Sequence, residues 1–151
     1  MAYKIKYRTF TVSVAENTAG TEATTHSALI SYLRPIFDGL DADQEHFILI
    51  CMDSRLRIKS HKVLFSGGAT SSIVDSKILF RAALLAGASR IAIAHNHPAG
   101  DPRPSSKDDH ATEKIKDGAV LLDIQLVDHI ILSGVSGEEP AYYSYSVMGR
   151  L

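Results

Sequence analysis

Apolar and polar positions alternate in two rhythms along this chain. Over residues 3–14 (YKIKYRTFTVSV), Tyr3, Ile5, Tyr7, Phe10, Val12 and Val14 recur largely every second position, the period of a strand with one buried face. Polar residues 16–24 read as a loop. From about 27 to 39 the period lengthens: Leu29, Ile30, Leu33, Ile36 and Phe37 make one helical stripe, with Thr25 or Ser27 as its cap and Gly39 as its stop. Residues 45–52 (EHFILICM) predict a buried strand. Residues 55–65 (RLRIKSHKVLF) predict its partner across a turn at Asp53-Ser54, and Gly67-Gly68 breaks the pattern.

The second half repeats these signals. Residues 75–87 (DSKILFRAALLAG) have helical spacing, a capping Asp75 or Ser76, and a terminal Gly87. Residues 89–96 (SRIAIAHN) predict a short strand, and HPAGDPRP a loop, because its Gly and Pro residues oppose regular structure. A helix starting at Ser105 or Ser106 is expected to reach about 117. Strands are expected over 121–133 (LLDIQLVDHIILS) and 141–148 (AYYSYSVM). Alternating strands and helices predict an α/β fold, a single domain with a mixed β-sheet flanked by helices.

Composition narrows the function classes. The chain has 151 residues, 45% hydrophobic and 22% charged, enough for one domain with a real core. Its formal net charge of -1 does not support general nucleic-acid affinity, although Lys4, Lys6 and Arg8 alternate near the start. The single cysteine, Cys51, lies in an apolar run, which excludes an internal disulfide and a multi-cysteine zinc site. It reads as a buried small hydrophobe. With no signal-peptide pattern and no long apolar run, the expectation is a cytoplasmic protein with no membrane span.

The chemistry concentrates in Ile91-Ala-Ile-Ala-His-Asn-His-Pro-Ala-Gly-Asp-Pro-Arg-Pro-Ser-Ser-Lys-Asp108. Residues two apart on a strand share a face, so His95 and His97 project together from a strand end that Pro98 terminates. The loop then leads to a helix whose first turn carries Asp108. Two imidazoles and a carboxylate make a three-ligand zinc set with one position left open, the mark of a catalytic rather than a structural site. Ser105-x-x-Asp108 is also a helix-start signature, and the two readings are compatible because a capped helix end holds a ligand rigidly. Asn96 is expected to point to the opposite face and bond backbone, and Asp101 to order its own turn. His46, His61 and His110 read as surface residues. His129 is either half of a structural pair with Asp128 or a support that orients a ligand. A zinc deaminase would need H-x-E and PCxxC, which one cysteine cannot supply. The letters HNH alone do not make a nuclease.

His95 to Asp108 resembles the JAMM (MPN-type) metalloprotease motif, and HNHPAGDPRPS is most similar to its RadC-like branch. The resemblance covers about residues 27–149. It takes in Gln44-Glu-His-Phe-Ile-Leu, Val63-Leu-Phe-Ser-Gly, Ala82-Ala83-Leu84, Asp128-His-Ile-Ile and the Tyr-Ser-Tyr-Ser ending. It implies a JAB/MPN fold of cytidine-deaminase-like architecture over 27–151; the strand and loop expected over 1–26 make an extension that the resemblance does not cover. It also implies one Zn2+ per chain on His95, His97 and Asp108. Glu45 is implied as the proton carrier and Ser105 as the hydroxyl supporting an oxyanion. Ser106 and Asp109 offer a one-residue shift, but the family spacing favours Ser105 and Asp108. The chain departs from the family at Ala99, usually Ser, and Gly68, usually Thr; neither position supplies a ligand. The implied activity is hydrolysis of a peptide or isopeptide amide. The alternatives are a DNA-repair-associated accessory protein, as the RadC name has traditionally implied, and a noncatalytic MPN interaction scaffold.

Overall fold

The computed structural model describes residues 20–67, 74–133 and 141–151, over which eight elements follow one another. The strand expected over 3–14, the basic residues Lys4, Lys6 and Arg8, and Gly68 lie outside the described residues. Helix α1 spans His26–Asp38: the Thr25 side chain accepts from the Ala28 N–H, and Gly39 closes the last turn onto Ile36 and Phe37. Its inner stripe is Leu29, Ile30, Tyr32 and Leu33. Ahead of the helix the chain already pairs with the sheet, through Ala23 N–H to Leu56 C=O and Ile58 N–H to Thr21 C=O.

Strand β1 is Glu45–Met52, as the apolar run predicts. Its hairpin partner β2 is Ile58–Gly67, starting later and ending later than expected. The turn is longer than Asp53-Ser54 because the Asp53 carboxylate gathers the N–H groups of Arg55 and Arg57 at 2.8 and 3.0 Å, with Leu56 in the left-handed region (φ 62°). Helix α2 is Ser76–Leu85 with Asp75 as its cap. Strand β3 is Arg90–His97, one residue beyond the expected end.

Two boundaries differ substantially from the sequence pattern. Helix α3 runs Ser106–Leu121, so Leu121 and Leu122 do not open a strand; Leu121 is 84% exposed at the helix end. An exposed apolar pair looks the same as strand core in a periodicity reading. A turn at Asp123 (φ 55°) then leads into β4, Gln125–Ser133. The last strand, β5, is only Tyr142–Ser144. After it the chain curls, because Ser144 Oγ accepts from Val147 N–H and Asp128 Oδ1 from Ser146 N–H.

The sheet order is β2-β1-β3-β4-β5, with β3 and β4 parallel and the other pairs antiparallel. Helix α3 is the crossover between the parallel strands. Strand alternation divides the core into two layers. On one face α1 covers Ile48, Ile50, Met52, Ala92, Ala94, Ile130 and Leu132. On the other, α2 and α3 cover Phe47, Leu49, Cys51, Ile91 and Ile93. The sheet is therefore mixed and flanked by helices on both faces, as the sequence pattern predicts. Among the described residues, no helix is long and apolar enough to cross a membrane.

Candidate metal centre

Odd-numbered residues of β3 face α2 and α3, so His95 and His97 leave the strand end on the α3 side. Asp108, Thr112, Ile115 and Ala119 follow one another at spacings of four, three and four along α3. That spacing puts Asp108 on the stripe that covers the sheet, with Thr112, Ile115 and Ala119 buried below it. His95 Nε2 lies 3.0 Å from His97 Nε2 and 3.1 Å from Asp108 Oδ1, and His97 Nε2 lies 3.5 Å from Asp108 Oδ2. Ligand atoms about 2.0–2.2 Å from one tetrahedral ion stand roughly 3.3–3.6 Å apart, so a single metal fits once the two closest pairs open by a few tenths of an ångström. The donor chemistry fits too: three lone-pair-bearing groups converge, and a cation satisfies all of them at once. Among the described residues, these three are the group so arranged.

Both histidines are held from behind. His97 Nδ1 donates to the Asp101 carbonyl at 2.7 Å, which leaves Nε2 for the site. His95 Nδ1 contacts His129 Nε2 at 2.9 Å. Asp101 bends the loop with its own side chain, which accepts from Arg103 N–H at 3.0 Å and pairs with the Arg103 guanidinium. That pairing holds the Asp101 carboxyl down at about 2.

Asp108 has a second duty. Its Oδ2 accepts from Ser105 N–H at 2.7 Å and from Ser105 Oγ at 2.6 Å, while Ser105 Oγ accepts from Asp108 N–H. The helix-start and ligand readings of this pair thus coexist in one residue. Asp109 takes a different direction, accepting from Tyr145 OH at 2.7 Å and pairing with Arg150. Burial opposes ionisation of Asp108, but its close contacts with the His95 and His97 rings outweigh it and hold its carboxyl far below the usual range. The same Asp108 contact raises His97 above the ordinary histidine value against a smaller effect of burial. The Asp101 carbonyl, the Asp108 charge and the Glu45 charge add to the rise.

Glu45 opens β1. Phe47 pairs with His95 in the β1–β3 register, and continuing that register by two residues brings Glu45 abreast of His97 on the same face. Asn96, on the opposite face as expected, fastens this corner: its Oδ1 accepts from His46 N–H at 2.7 Å and its Nδ2 donates to Gln44 C=O at 2.8 Å. Gly67 of β2 and Ser133 of β4 stand at the same end of the sheet. A cavity of about 570 Å³ lined by Arg90, Lys116 and Gln125 lies at the other end of the sheet, away from these residues.

Three expectations for histidines change. His46 is buried, not on the surface, because its ring is used at both ends: Nδ1 meets Ser66 Oγ at 2.6 Å and Nε2 meets the Asp41 carbonyl at 2.7 Å. His61 is half-buried, bonded to Tyr32 OH at 2.7 Å; His110 is exposed as expected. Asp128 and His129 do not pair. Neighbours on a strand point to opposite faces, so Asp128 accepts from Ser144 Oγ and Ser146 N–H while His129 turns towards His95. Sequence reasoning missed Thr112, whose Oγ lies 2.6 Å from His129 Nδ1 and donates to the Asp108 carbonyl at 2.6 Å. Its only signal was the four-residue spacing from Asp108.

Comparison with known proteins converges on one group. The sequence model of the RadC-like JAB domain family matches residues 23–149. A UPF0758 protein of Thermotoga maritima is 35% identical over 109 residues, covering 72% of this chain and 47% of the relative. A UPF0758 protein of a Psychrobacter species is 45% identical over 89 residues, 59% of this chain and 39% of its own. One from Methanosarcina barkeri is 39% identical over the same length, with the same coverage. The chain spans less than half the length of these curated relatives.

Proposed function

The chain belongs to the RadC-like JAB domain family, and on that footing we propose that it is a zinc-dependent hydrolase cleaving peptide or isopeptide amides in the cytoplasm. The observation that carries this reading is the convergence of His95 Nε2, His97 Nε2 and the Asp108 carboxylate within 3.0–3.5 Å of one another at one end of the sheet. Two imidazoles and one carboxylate are the donor set of a catalytic zinc with an open position. Zinc in such a set supplies Lewis acidity and brings the pKa of a coordinated water to about 7.

The protein's own groups do the rest. Glu45, abreast of His97, takes the proton of the attacking water and delivers it to the leaving nitrogen. Ser105 steadies Asp108 through the cap, and its hydroxyl would support the negative oxygen that develops on the substrate. The reading applies to the metallohydrolase domain, assigned to 27–151, with 1–26 as an extension. A purely scaffolding domain would have no use for the full donor set, and the charge balance favours no role in DNA binding.

Elemental analysis of protein purified without chelator should give one zinc per chain. His95→Ala and His97→Ala should each abolish it. Glu45→Gln should keep zinc yet lose turnover in a screen of peptide and isopeptide substrates. A metal-free wild type, iron in place of zinc, or full activity in Glu45→Gln would overturn the proposal.

A further inference from the structure

The rear contact of His97 explains itself, because a carbonyl can only accept. That of His95 does not. Two ring nitrogens 2.9 Å apart share one proton, and either His95 or His129 can own it. Ownership matters. If His129 donates, a neutral His95 carries its own proton on Nε2, the atom that faces His97 and Asp108, and no lone pair remains there.

Thr112 decides the matter. Its hydroxyl oxygen is 2.6 Å from the Asp108 carbonyl oxygen and 2.6 Å from His129 Nδ1. Two oxygens at that distance need a proton between them, and only the hydroxyl has one. The hydroxyl hydrogen therefore goes to the carbonyl, and its lone pair must accept from His129 Nδ1–H. A ring protonated on Nδ1 accepts at Nε2, so His95 donates from Nδ1 and keeps a lone pair on Nε2. We propose that Thr112 and His129 set the proton pattern of His95 in this way, making His129 a positioning residue for the metal. The relay begins on the backbone of Asp108 and ends beside its carboxylate, tying helix α3 to strand β3.

Packing alone does not call for an imidazole here. His129 is fully buried, stacked on Tyr145 (centroids 4.8 Å, planes 5° apart) and tilted against Phe47 at 6.1 Å. A phenyl ring would fill that slot without the cost of burying two polar atoms.

The inference rests on the metal reading above, and the test separates the two. Zinc affinity is measured by competition with a chelator for wild type, His129→Phe, His129→Gln, Thr112→Val and Thr112→Ser. Imidazole tautomers are read by nitrogen-15 NMR on the metal-free protein. His129→Phe and Thr112→Val should weaken zinc about ten- to a hundred-fold. His129→Gln and Thr112→Ser, which retain an acceptor and a hydroxyl, should stay within a few-fold of wild type, and His129 should carry its proton on Nδ1. Wild type that binds no zinc removes the proposed function and this role together. Wild type and His129→Phe binding equally tightly removes this role alone. So does a proton on His129 Nε2, or equal losses in Phe and Gln variants that track a fall in their metal-free melting temperatures.

Discussion

The side-chain oxygen of Asn96 accepts a hydrogen bond from the backbone N–H of His46 at 2.7 Å, across fifty residues of sequence. With its amide nitrogen on the Gln44 carbonyl, Asn96 locks both backbone groups that flank Glu45. One residue of β3 thus sets the position of the proposed proton carrier, although its own side chain faces away from the metal centre.

Asn96→Ala leaves a buried N–H and a carbonyl without partners. The expected loss is about 1–3 kcal/mol of stability, read by denaturant unfolding. Zinc content should be unchanged while turnover falls, since His95 and His97 keep their supports. Unaltered stability would show that water replaces the amide at no cost.

Ser105→Ala removes one half of the capping box on α3. A loss of about 1 kcal/mol is expected, a melting shift of about 3 °C for a chain of this size. Zinc should also bind more weakly, because the serine hydroxyl steadies Asp108 Oδ2. Ser105→Thr should restore most of both, measured by thermal melting and chelator competition. Equal effects of Ala and Thr would separate the cap from the loss.

Cys51 is buried in β1, and burial pushes its thiol from 9.0 up to about 11, against smaller opposing effects of Ser60 and Lys59. Well below pH 9 the thiol is neutral in both folded and unfolded chains, so it imposes no pH dependence there. Between about 9 and 11 the unfolded chain gives up the proton first, and stability falls as pH rises through that window. Unfolding curves for wild type and Cys51→Ala at pH 8 and 10.5 should converge as pH rises. The native thiol should resist iodoacetamide at pH 8 until the protein is unfolded. Fast alkylation of the native protein would contradict this burial.

Gly87 ends α2 with φ +58°, donating its N–H to Leu84 C=O while Ala88 N–H reaches Ala83 C=O. A Cβ there is strained in the left-handed region and would also meet Lys59 Nζ at 3.2 Å. Gly87→Ala should cost about 1–2 kcal/mol in equilibrium unfolding, and Gly87→Asn less. A neutral Gly87→Ala would mean that the turn relaxes to another conformation.

Within the described residues, the elements with strong internal signals were legible from the chain alone. β1 has both ends where its apolar run predicts them, and α1 and α2 have their caps at Thr25 and Asp75. Local hydrogen bonding and side-chain period write those elements, and neither needs distant partners. The pairing of His95 with His97 was legible for the same reason, since strand alternation points both from one face; the choice of Asp108 over its neighbour Asp109 came from the family spacing, and the structure groups Asp108 with the two histidines. The end of α3 and the short β5 were not. Leu121 is apolar yet exposed, and Ser146 to Met148 bend away because Asp128 and Ser144 capture their N–H groups. His46 and His129 show the same limit in the site itself. A histidine's surroundings come from strands and helices brought alongside it, here Ser66 twenty residues away and His95 thirty-four away. Sequence period determined the directions of the side chains; only the tertiary structure decided what each would meet, because those partners converge through packing between elements.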